Sequence, residues 1–142
     1  NKNRGPPRVQ SAANEKEIYK QLTPLLEAGI IRHSAASHYS QVLLTKKKED
    51  DAKRIVIDFR KLNICSKTTK HPIPDIKGIF TRVGDTKSKV FGKMDCTSAY
   101  HQAPVREDSM VFLAFICFMG VFEWCRLPFG PKKAPPYFQE LL

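Results

Sequence analysis

The most informative segment of the chain is Lys89-Val-Phe-Gly-Lys-Met-Asp95-Cys-Thr-Ser-Ala-Tyr100-His101-Gln102. Its pattern predicts a strand that ends at Asp95, then a tight turn with an aromatic residue, Tyr100, five positions further on. A carboxylate at a strand end is a natural ligand for Mg²⁺, which prefers oxygen donors and binds through carboxylates together with substrate phosphates. An aspartate here is more often a cap on the following turn than a metal ligand, and this segment alone leaves both interpretations open.

Composition points to a basic protein with a polyanionic partner. The 142 residues suit one domain or a piece of a larger protein, and 42% hydrophobic residues are enough for a core. The 24 Lys and Arg against 14 Asp and Glu give a net charge of +10, which favours nucleic acid as the partner.

The sequence also excludes several classes of protein. No run of about 18 apolar residues occurs, so we expect no membrane partner. The cysteines form no Cys-x-x-Cys pair and lack zinc-site spacing. We therefore expect reduced thiols in an intracellular protein, with a disulfide between Cys117 and Cys125 left open.

The first half of the chain predicts one helix and a hairpin. Asn14–Glu17 has the pattern of a capping box at a helix start, Pro24 is expected to kink or split the helix, and Gly29 to end it. The apolar residues at helical spacing are Ile18, Leu22, Leu25 and Leu26. The strands of the hairpin are Gln41–Lys48 and Lys53–Arg60, and His71–Pro74 is predicted to be extended.

The second half predicts two further helices and a second hairpin. Asp75 can cap a short amphipathic helix that ends at Gly84. Val111–Phe118 and Val121–Leu127 are predicted to pair, and Pro131 to open the last helix. Helices combined with mostly antiparallel strands predict the α+β class.

Four blocks, in this order, resemble the N-terminal half of the reverse transcriptases of long-terminal-repeat retroelements, the gypsy-type retrotransposons above all. The resemblance covers about residues 15–142. The blocks are Leu25-Leu-Glu-Ala-Gly-Ile-Ile-Arg32 with Ser40-Gln-Val-Leu-Leu; Lys46-Lys-Lys48 with Arg54-Ile-Val-Ile-Asp-Phe-Arg-Lys-Leu-Asn63; Met94-Asp95-Cys-Thr-Ser-Ala-Tyr-His-Gln102; and Leu127-Pro-Phe-Gly-Pro-Lys-Lys-Ala-Pro135 with Phe138-Gln139.

The resemblance implies a right-hand polymerase fold with fingers and part of the palm. The expected division is an extended lead-in over 1–13, fingers over 14–76 and 103–133, palm over 77–102, and the start of a palm helix over 134–142.

The resemblance also implies two-metal phosphoryl transfer with Mg²⁺ or Mn²⁺. Asp95 matches the first catalytic, metal-binding aspartate, and Cys96 matches a metal ligand through its backbone carbonyl. The family's Tyr-x-Asp-Asp hairpin does not occur in the 142 residues, and Asp50–Asp51 lies in a charged turn that cannot replace it. We therefore predict that these residues alone have no polymerase activity.

The nucleotide-binding residues that the resemblance implies are Lys47, Arg54, Ser98, Ala99, Tyr100 and Phe129. Lys47 and Arg54 match the pair that reaches the triphosphate, a role that suits a point charge and a guanidinium fork. Tyr100 matches the aromatic residue that excludes a ribose 2′-hydroxyl, and Phe129 lines the same pocket. A solvated basic hairpin and ordinary core packing are the alternatives for these residues.

Template contacts are implied for Arg60, Gly130 and Pro135. Pro131 and Lys132–Lys133 depart from the residues more usual in the fourth block. His101 and Gln102 recur in gypsy-type patterns, and we interpret them as structural.

The expected partners are an RNA or DNA template-primer, a deoxynucleoside triphosphate, and the remaining polymerase with its Tyr-x-Asp-Asp palm, thumb and RNase H. The expected location is the cytoplasm, a virus-like particle or the nucleus. Two alternatives to an RNA-directed DNA polymerase stay open: a relic that binds nucleic acid without chemistry, and a scaffold for protein contacts.

Overall fold

A computed structural model of the chain describes residues 4–46, 52–67 and 75–141. Within these ranges the helices are α1 (Ala12–Glu27), α2 (Arg60–Cys65), α3 (Ile76–Asp85), α4 (Ala99–Gln102), α5 (Glu107–Met110) and α6 (Ala134–Leu141). The strands are β1 (Ile31–His33), β2 (Ser40–Lys46), β3 (Lys53–Ile57), β4 (Ala114–Cys117) and β5 (Gly120–Trp124). Helices packed with one mostly antiparallel sheet make up the predicted α+β class.

The sheet has the strand order β1-β5-β4-β2-β3. All neighbours are antiparallel except β2 and β4, which pair in parallel through Ser40 and Gln41. Both predicted hairpins are present, β2–β3 and β4–β5. The second hairpin is shorter than predicted, because Val111–Leu113 forms a 3₁₀ turn before β4.

Helix α1 begins earlier than predicted. Ser11, rather than Asn14, is the N-cap, and its hydroxyl accepts a hydrogen bond from the Asn14 backbone N–H at 3.3 Å. Pro24 lies inside the helix and does not split it. The amide of Gln21 pairs with the outer edge of β3, donating to the Lys53 carbonyl at 2.7 Å and accepting from the Ile55 N–H at 3.1 Å.

The end of α1 follows the prediction at Gly29, which has a positive φ of 66°. The Gly29 N–H donates to the Leu26 carbonyl, and the Ile30 N–H donates to the Leu25 carbonyl at 2.9 Å. This is the Schellman pattern, which satisfies the last carbonyls of a helix and favours glycine at the left-handed position.

Two hydrophobic clusters hold the described residues together. The larger one lies between α1 and the sheet, and its buried members are Ile18, Leu22, Ile31, Val42, Ile57, Phe59, Leu113, Phe115, Cys117, Phe122 and Trp124. The smaller one consists of Ala103, Leu127 and Ala134, with Tyr100 and Phe138 packed against it. The smaller cluster brings α4 and α6 together beside the end of β5.

Two predicted element boundaries were wrong, at the end of β3 and at the start of the last helix. The strand predicted to reach Arg60 ends at Ile57, because Asp58 accepts a hydrogen bond from the Arg60 backbone N–H at 3.3 Å and turns the chain into α2. The last helix begins at Ala134 rather than Pro131. Prolines 135 and 136 fit its first turn, where a backbone N–H is not needed.

Asp75 caps α3 as predicted, accepting hydrogen bonds from the N–H groups of Lys77 and Gly78. The helix runs one residue past the predicted stop at Gly84. Its apolar side chains are exposed: Ile76, Ile79, Phe80 and Val83.

The prediction of a strand that leads to Asp95 was wrong. Residues 86–97 contain turns and irregular backbone, and every one of them is exposed. A strand needs a neighbour to satisfy its backbone groups, and the described sheet ends at β1 on one side and at β3 on the other. The 86–97 segment has no pairing partner among the described residues.

Several predictions fall outside the described residues: the extended His71–Pro74, the ends of the first hairpin at Lys47 and Lys48, and the charged turn. All four cysteines are free thiols, so the open disulfide between Cys117 and Cys125 is not formed. Burial raises the pKa of both of these thiols. No helix of the described ranges is long and apolar enough to cross a membrane.

Candidate nucleotide and template site

The turn after Asp95 presents two consecutive rings. Ser98 adopts the left-handed conformation, with φ 49° and ψ 42°, and α4 starts directly after it. The Gln102 amide donates to the Thr97 carbonyl at 2.7 Å and closes this turn. The side chains of Tyr100 and His101 therefore point in different directions from this short helix, since successive helical residues are about 100° apart around the axis.

Tyr100 and Phe129 lie against each other, as the shared pocket of the sequence analysis requires. Their ring centroids are 4.7 Å apart with an interplanar angle of 22°, and Phe138 of α6 lies 5.1 Å from Tyr100 on another side. Tyr100 is partly buried, whereas 62% of Phe129 is exposed. We call Tyr100, Phe129 and Phe138 the aromatic corner, which gives a ligand an apolar surface open to solvent.

The loop after Phe129 is held by α2. Asn63 donates through its amide to the Gly130 carbonyl at 2.9 Å, and its side-chain oxygen accepts from the Lys132 N–H at 2.7 Å. Gly130 has a φ of 111°, and a Cβ at this position would lie 3.1 Å from a ring carbon of Phe59. The loop therefore requires glycine at position 130. It lies against α2, the helix that begins at Arg60.

Sequence reasoning missed Asn63 as a site residue. It is the last residue of the second block, and its side chain has both a donor and an acceptor. That combination suits a carbonyl and an N–H two residues apart in a loop, but the sequence does not show which loop lies opposite.

Arg60 is oriented by Asp58. Its Nε and Nη2 atoms donate to the two carboxylate oxygens at 2.8 Å and 2.7 Å, a fork geometry typical of strong Arg–carboxylate pairs. These hydrogen bonds lower the pKa of Asp58 to about 2, and Arg8 lies 3.9 Å from the same carboxylate. The Arg60 side chain remains 79% exposed, so its outer face is accessible to a phosphate.

Arg54 lies on β3 opposite Thr45 and is exposed. Among the residues that the structure describes, its guanidinium has no hydrogen-bond or ion-pair partner. Lys47, the other predicted triphosphate ligand, lies outside the described residues. Pro135 is exposed in the first turn of α6, next to the buried Ala134.

Asp95 and Cys96 are exposed and are not brought into the aromatic corner by any hydrogen bond or ion pair of the described residues. No group of three or more His, Cys, Asp or Glu side chains that could hold a metal occurs within 4–46, 52–67 and 75–141. A carboxylate and a carbonyl are donors that fit Mg²⁺, which keeps several waters and takes further oxygens from substrate. The donor types therefore fit the cation, and they would supply one part of its coordination.

A groove of about 480 Å³ lies between α3 and the 86–97 segment. Its lining is mainly apolar and includes Ile79, Val83 and Phe91 together with Arg82. None of the predicted site residues lines it.

The family model described as reverse transcriptase (RNA-dependent DNA polymerase) matches residues 45–142 of this chain. The chain therefore belongs to the reverse transcriptase family, and the resemblance of the four blocks is confirmed.

Curated relatives are retrotransposon polyproteins. The Pol polyprotein of transposon gypsy from Drosophila melanogaster is 38% identical over 130 residues, covering 88% of this chain and 12% of that protein. The Pol polyprotein of transposon opus from the same organism is 35% identical, covering 89% and 13%. The Tf2-3 polyprotein of Schizosaccharomyces pombe is 36% identical over 134 residues, covering 94% and 10%. The chain thus spans 10 to 13% of the length of these relatives.

Solved structures show the same fold. The foamy viral protease-reverse transcriptase in complex with an RNA/DNA hybrid has a TM-score of 0.78 at 20% identity, covering 98% of this chain and 18% of that one. The same viral protein in complex with double-stranded DNA has a TM-score of 0.77 at 20% identity, covering 99% and 24%. The polymerase fold that the resemblance implied is therefore confirmed.

Proposed function

We propose that this chain forms the fingers and the first palm segment of an RNA-directed DNA polymerase that extends a primer from deoxynucleoside triphosphates. In that reaction the primer 3′-hydroxyl oxygen bonds to the α-phosphorus, its proton is released, and pyrophosphate leaves. The observation that supports the proposal most is the Tyr100–Phe129 stack at 4.7 Å, because it joins residues of the third and fourth blocks into one surface.

The aromatic corner has the properties of a sugar-selective surface. Tyr100 is braced by Phe138 at 5.1 Å and by Phe129 at 4.7 Å, so its ring cannot move aside without losing two aromatic contacts. A ring fixed under the sugar of an incoming nucleotide leaves no room for a 2′-hydroxyl. The corner would therefore favour deoxyribonucleotides over ribonucleotides.

Phosphates and template would contact the basic residues around the corner. Arg54 has a guanidinium without a protein partner in the described ranges, which suits the triphosphate together with Lys47. Arg60 presents its exposed face while Asp58 fixes its orientation. The exposed residues Gly130 and Pro135 would border the path of the template strand.

Asp95 and the Cys96 carbonyl would hold a divalent cation, with Ser98 and Ala99 forming the turn beside the nucleotide. When bound, such a cation stabilises the charge that develops on the transferring phosphoryl group. Asp95 contributes the negative charge, and its exposure leaves the carboxylate open to a shared site. The second carboxylate pair, the thumb and the RNase H segment would come from the remaining polymerase.

The test is the sugar preference of the polymerase that contains this chain. Tyr100→Val opens space beside Phe129, and we expect the ratio of kcat/KM for deoxyribonucleotides over ribonucleotides to fall by roughly tenfold or more. Tyr137→Val is the matched control, since Tyr137 lies on α6 outside the corner and donates to the Pro104 carbonyl at 3.2 Å. An unchanged ratio in a folded, active Tyr100→Val enzyme would remove Tyr100 from this role.

A second function, binding of nucleic acid without catalysis, applies to the 142 residues by themselves. The observation in its favour is the net charge of +10 on 142 residues. The two functions are compatible, because the isolated chain can bind what the complete polymerase copies.

A further inference from the structure

His101 links the aromatic corner to the main core, a connection that its position in the third block does not reveal. Its ring lies 5.3 Å from that of Trp124, and 5.9 Å from that of Phe129 in an edge-on arrangement. Trp124 is 6% exposed and packs 5.9 Å from the fully buried Phe115. A continuous row of rings thus runs from the interior of the sheet through His101 to Phe129.

Phe129 needs such support because it is mostly exposed. Solvent-exposed rings change rotamer readily, and the hydrogen bonds of Asn63 hold the loop at Gly130 and Lys132, beyond the Phe129 ring. Tyr100 covers one face of the Phe129 ring at an interplanar angle of 22°, and His101 meets the same ring at 65°. Two consecutive residues of α4 therefore hold Phe129 from two directions.

The surroundings of His101 favour a packing role for its ring. Desolvation by burial lowers its pKa, so the imidazole is neutral at physiological pH and carries no charge into the aromatic row. Its two ring neighbours are both hydrocarbon surfaces apart from the Trp124 Nε1 atom, which is buried without a hydrogen-bond partner among the described residues. An uncharged, flat ring suits this position.

We infer that His101 is a positioning residue, which fixes the Phe129 ring against Tyr100 and thereby sets how strictly the polymerase rejects ribonucleotides. This inference rests on the proposed function, because it assigns the corner to the nucleotide sugar. It adds that selectivity depends on a ring behind Phe129 as well as on the Tyr100 ring beside it.

The experiment compares variants at position 101 in the complete polymerase. His101→Phe keeps a ring, while His101→Ala and His101→Gln remove it, the second keeping a similar volume and polarity. We expect both ringless variants to lower the deoxyribonucleotide-over-ribonucleotide ratio of kcat/KM roughly fivefold, mainly by improved ribonucleotide use, and His101→Phe to stay within about twofold of the parent. His101→Gln provides the answer if His101→Ala does not fold.

His33→Ala is the matched control. His33 also packs its ring on a phenylalanine, 4.7 Å from Phe122, but it lies on β1 and does not contact the corner. Its loss should leave the sugar ratio unchanged. The urea unfolding transition of each variant polymerase shows whether the substitution at position 101 leaves it folded.

The outcomes separate the inference from the proposed function. A changed ratio in Tyr100→Val with an unchanged ratio in folded His101→Gln overturns the role of His101 and keeps the sugar gate. An unchanged ratio in Tyr100→Val overturns the gate itself. If His101→Phe loses as much selectivity as His101→Gln, the imidazole nitrogens rather than the ring are responsible, and the inference is wrong.

Discussion

Tyr100 of the aromatic corner and Asp95 of the 86–97 segment belong to the same sequence motif, yet they differ in how much of their environment the chain supplies. Tyr100 is surrounded by Phe129, Phe138 and the small cluster around Ala103. Asp95, five residues earlier, is exposed in irregular backbone, with the side chain of Met94 beside it 99% exposed. Within this motif, Tyr100 is therefore packed by other residues of the chain, whereas Asp95 is exposed to solvent.

The difference follows from where the partners of each part lie in the sequence. The corner is built from residues 100–138, so its contacts form within the chain. A strand through Asp95 needs neighbouring strands, and the five strands described pair only among themselves. The apolar side chains of α3 and those of Val90, Phe91 and Met94 are exposed as well.

The largest expected effect tests whether Asp95 is a catalytic residue. Asp95→Asn in the complete polymerase keeps the shape and removes the charge that would bind the cation. We expect primer extension in Mg²⁺ to fall on the order of 10³-fold or more. Asp85→Asn, which alters an exposed aspartate at the end of α3, should leave the rate unchanged. Near-parental extension by Asp95→Asn would sink the assignment.

The next prediction concerns the 142 residues alone. They should add no nucleotides to a primer, and should bind RNA or DNA through their +10 charge. Because phosphate contacts release counterions, we expect affinity to weaken on the order of 10²-fold between about 50 mM and 200 mM salt. Fluorescence anisotropy with a labelled template-primer measures this. Template-directed synthesis by the 142 residues, or binding that is insensitive to salt, would contradict this prediction.

Gly130→Ala tests how tightly the loop after Phe129 is packed, in comparison with the exposed 86–97 segment. The new Cβ would sit at a φ of 111° and 3.1 Å from Phe59, so both backbone strain and a close contact oppose it. We expect a loss of about 2 kcal/mol in the free energy of unfolding, measured by urea denaturation of the chain. Gly92→Ala in the open segment is the control, since nothing lies within 4 Å of its Cβ position. Equal effects of the two substitutions would contradict the contrast.

The smallest effect is the pH dependence contributed by Asp58. Its pKa is lowered from 3.8 to about 2, chiefly by the Arg60 hydrogen bonds, so its stabilising contribution is present above about pH 4 and is lost as the pH falls toward 2. Allowing for the exposed Arg60, we expect Asp58→Asn to cost about 1 kcal/mol at pH 7. The difference between the two proteins should shrink between pH 4 and pH 2. A difference that is constant with pH would argue against a charged pair.

Much of the fold was predictable from local signals. The end of α1 at Gly29, the cap at Asp75 and both hairpins follow from short-range rules of turn and cap geometry. Boundaries were less predictable where two local signals compete, as at Asp58, where a side-chain hydrogen bond ends β3 and starts α2. Strand β1, with three residues, has too little sequence pattern to be recognised.

The family, the basic character and the residue types of the site could be predicted from the amino-acid sequence, because motif order and charge are properties of the chain. The sequence did not reveal that Asn63 binds the loop at Gly130 or that His101 packs on Trp124. These contacts join positions far apart in sequence, whose pairing depends on how α2, α4 and β5 pack. The strand that was wrongly predicted before Asp95 shows the same limit, since a strand forms only where a neighbour completes its hydrogen bonds.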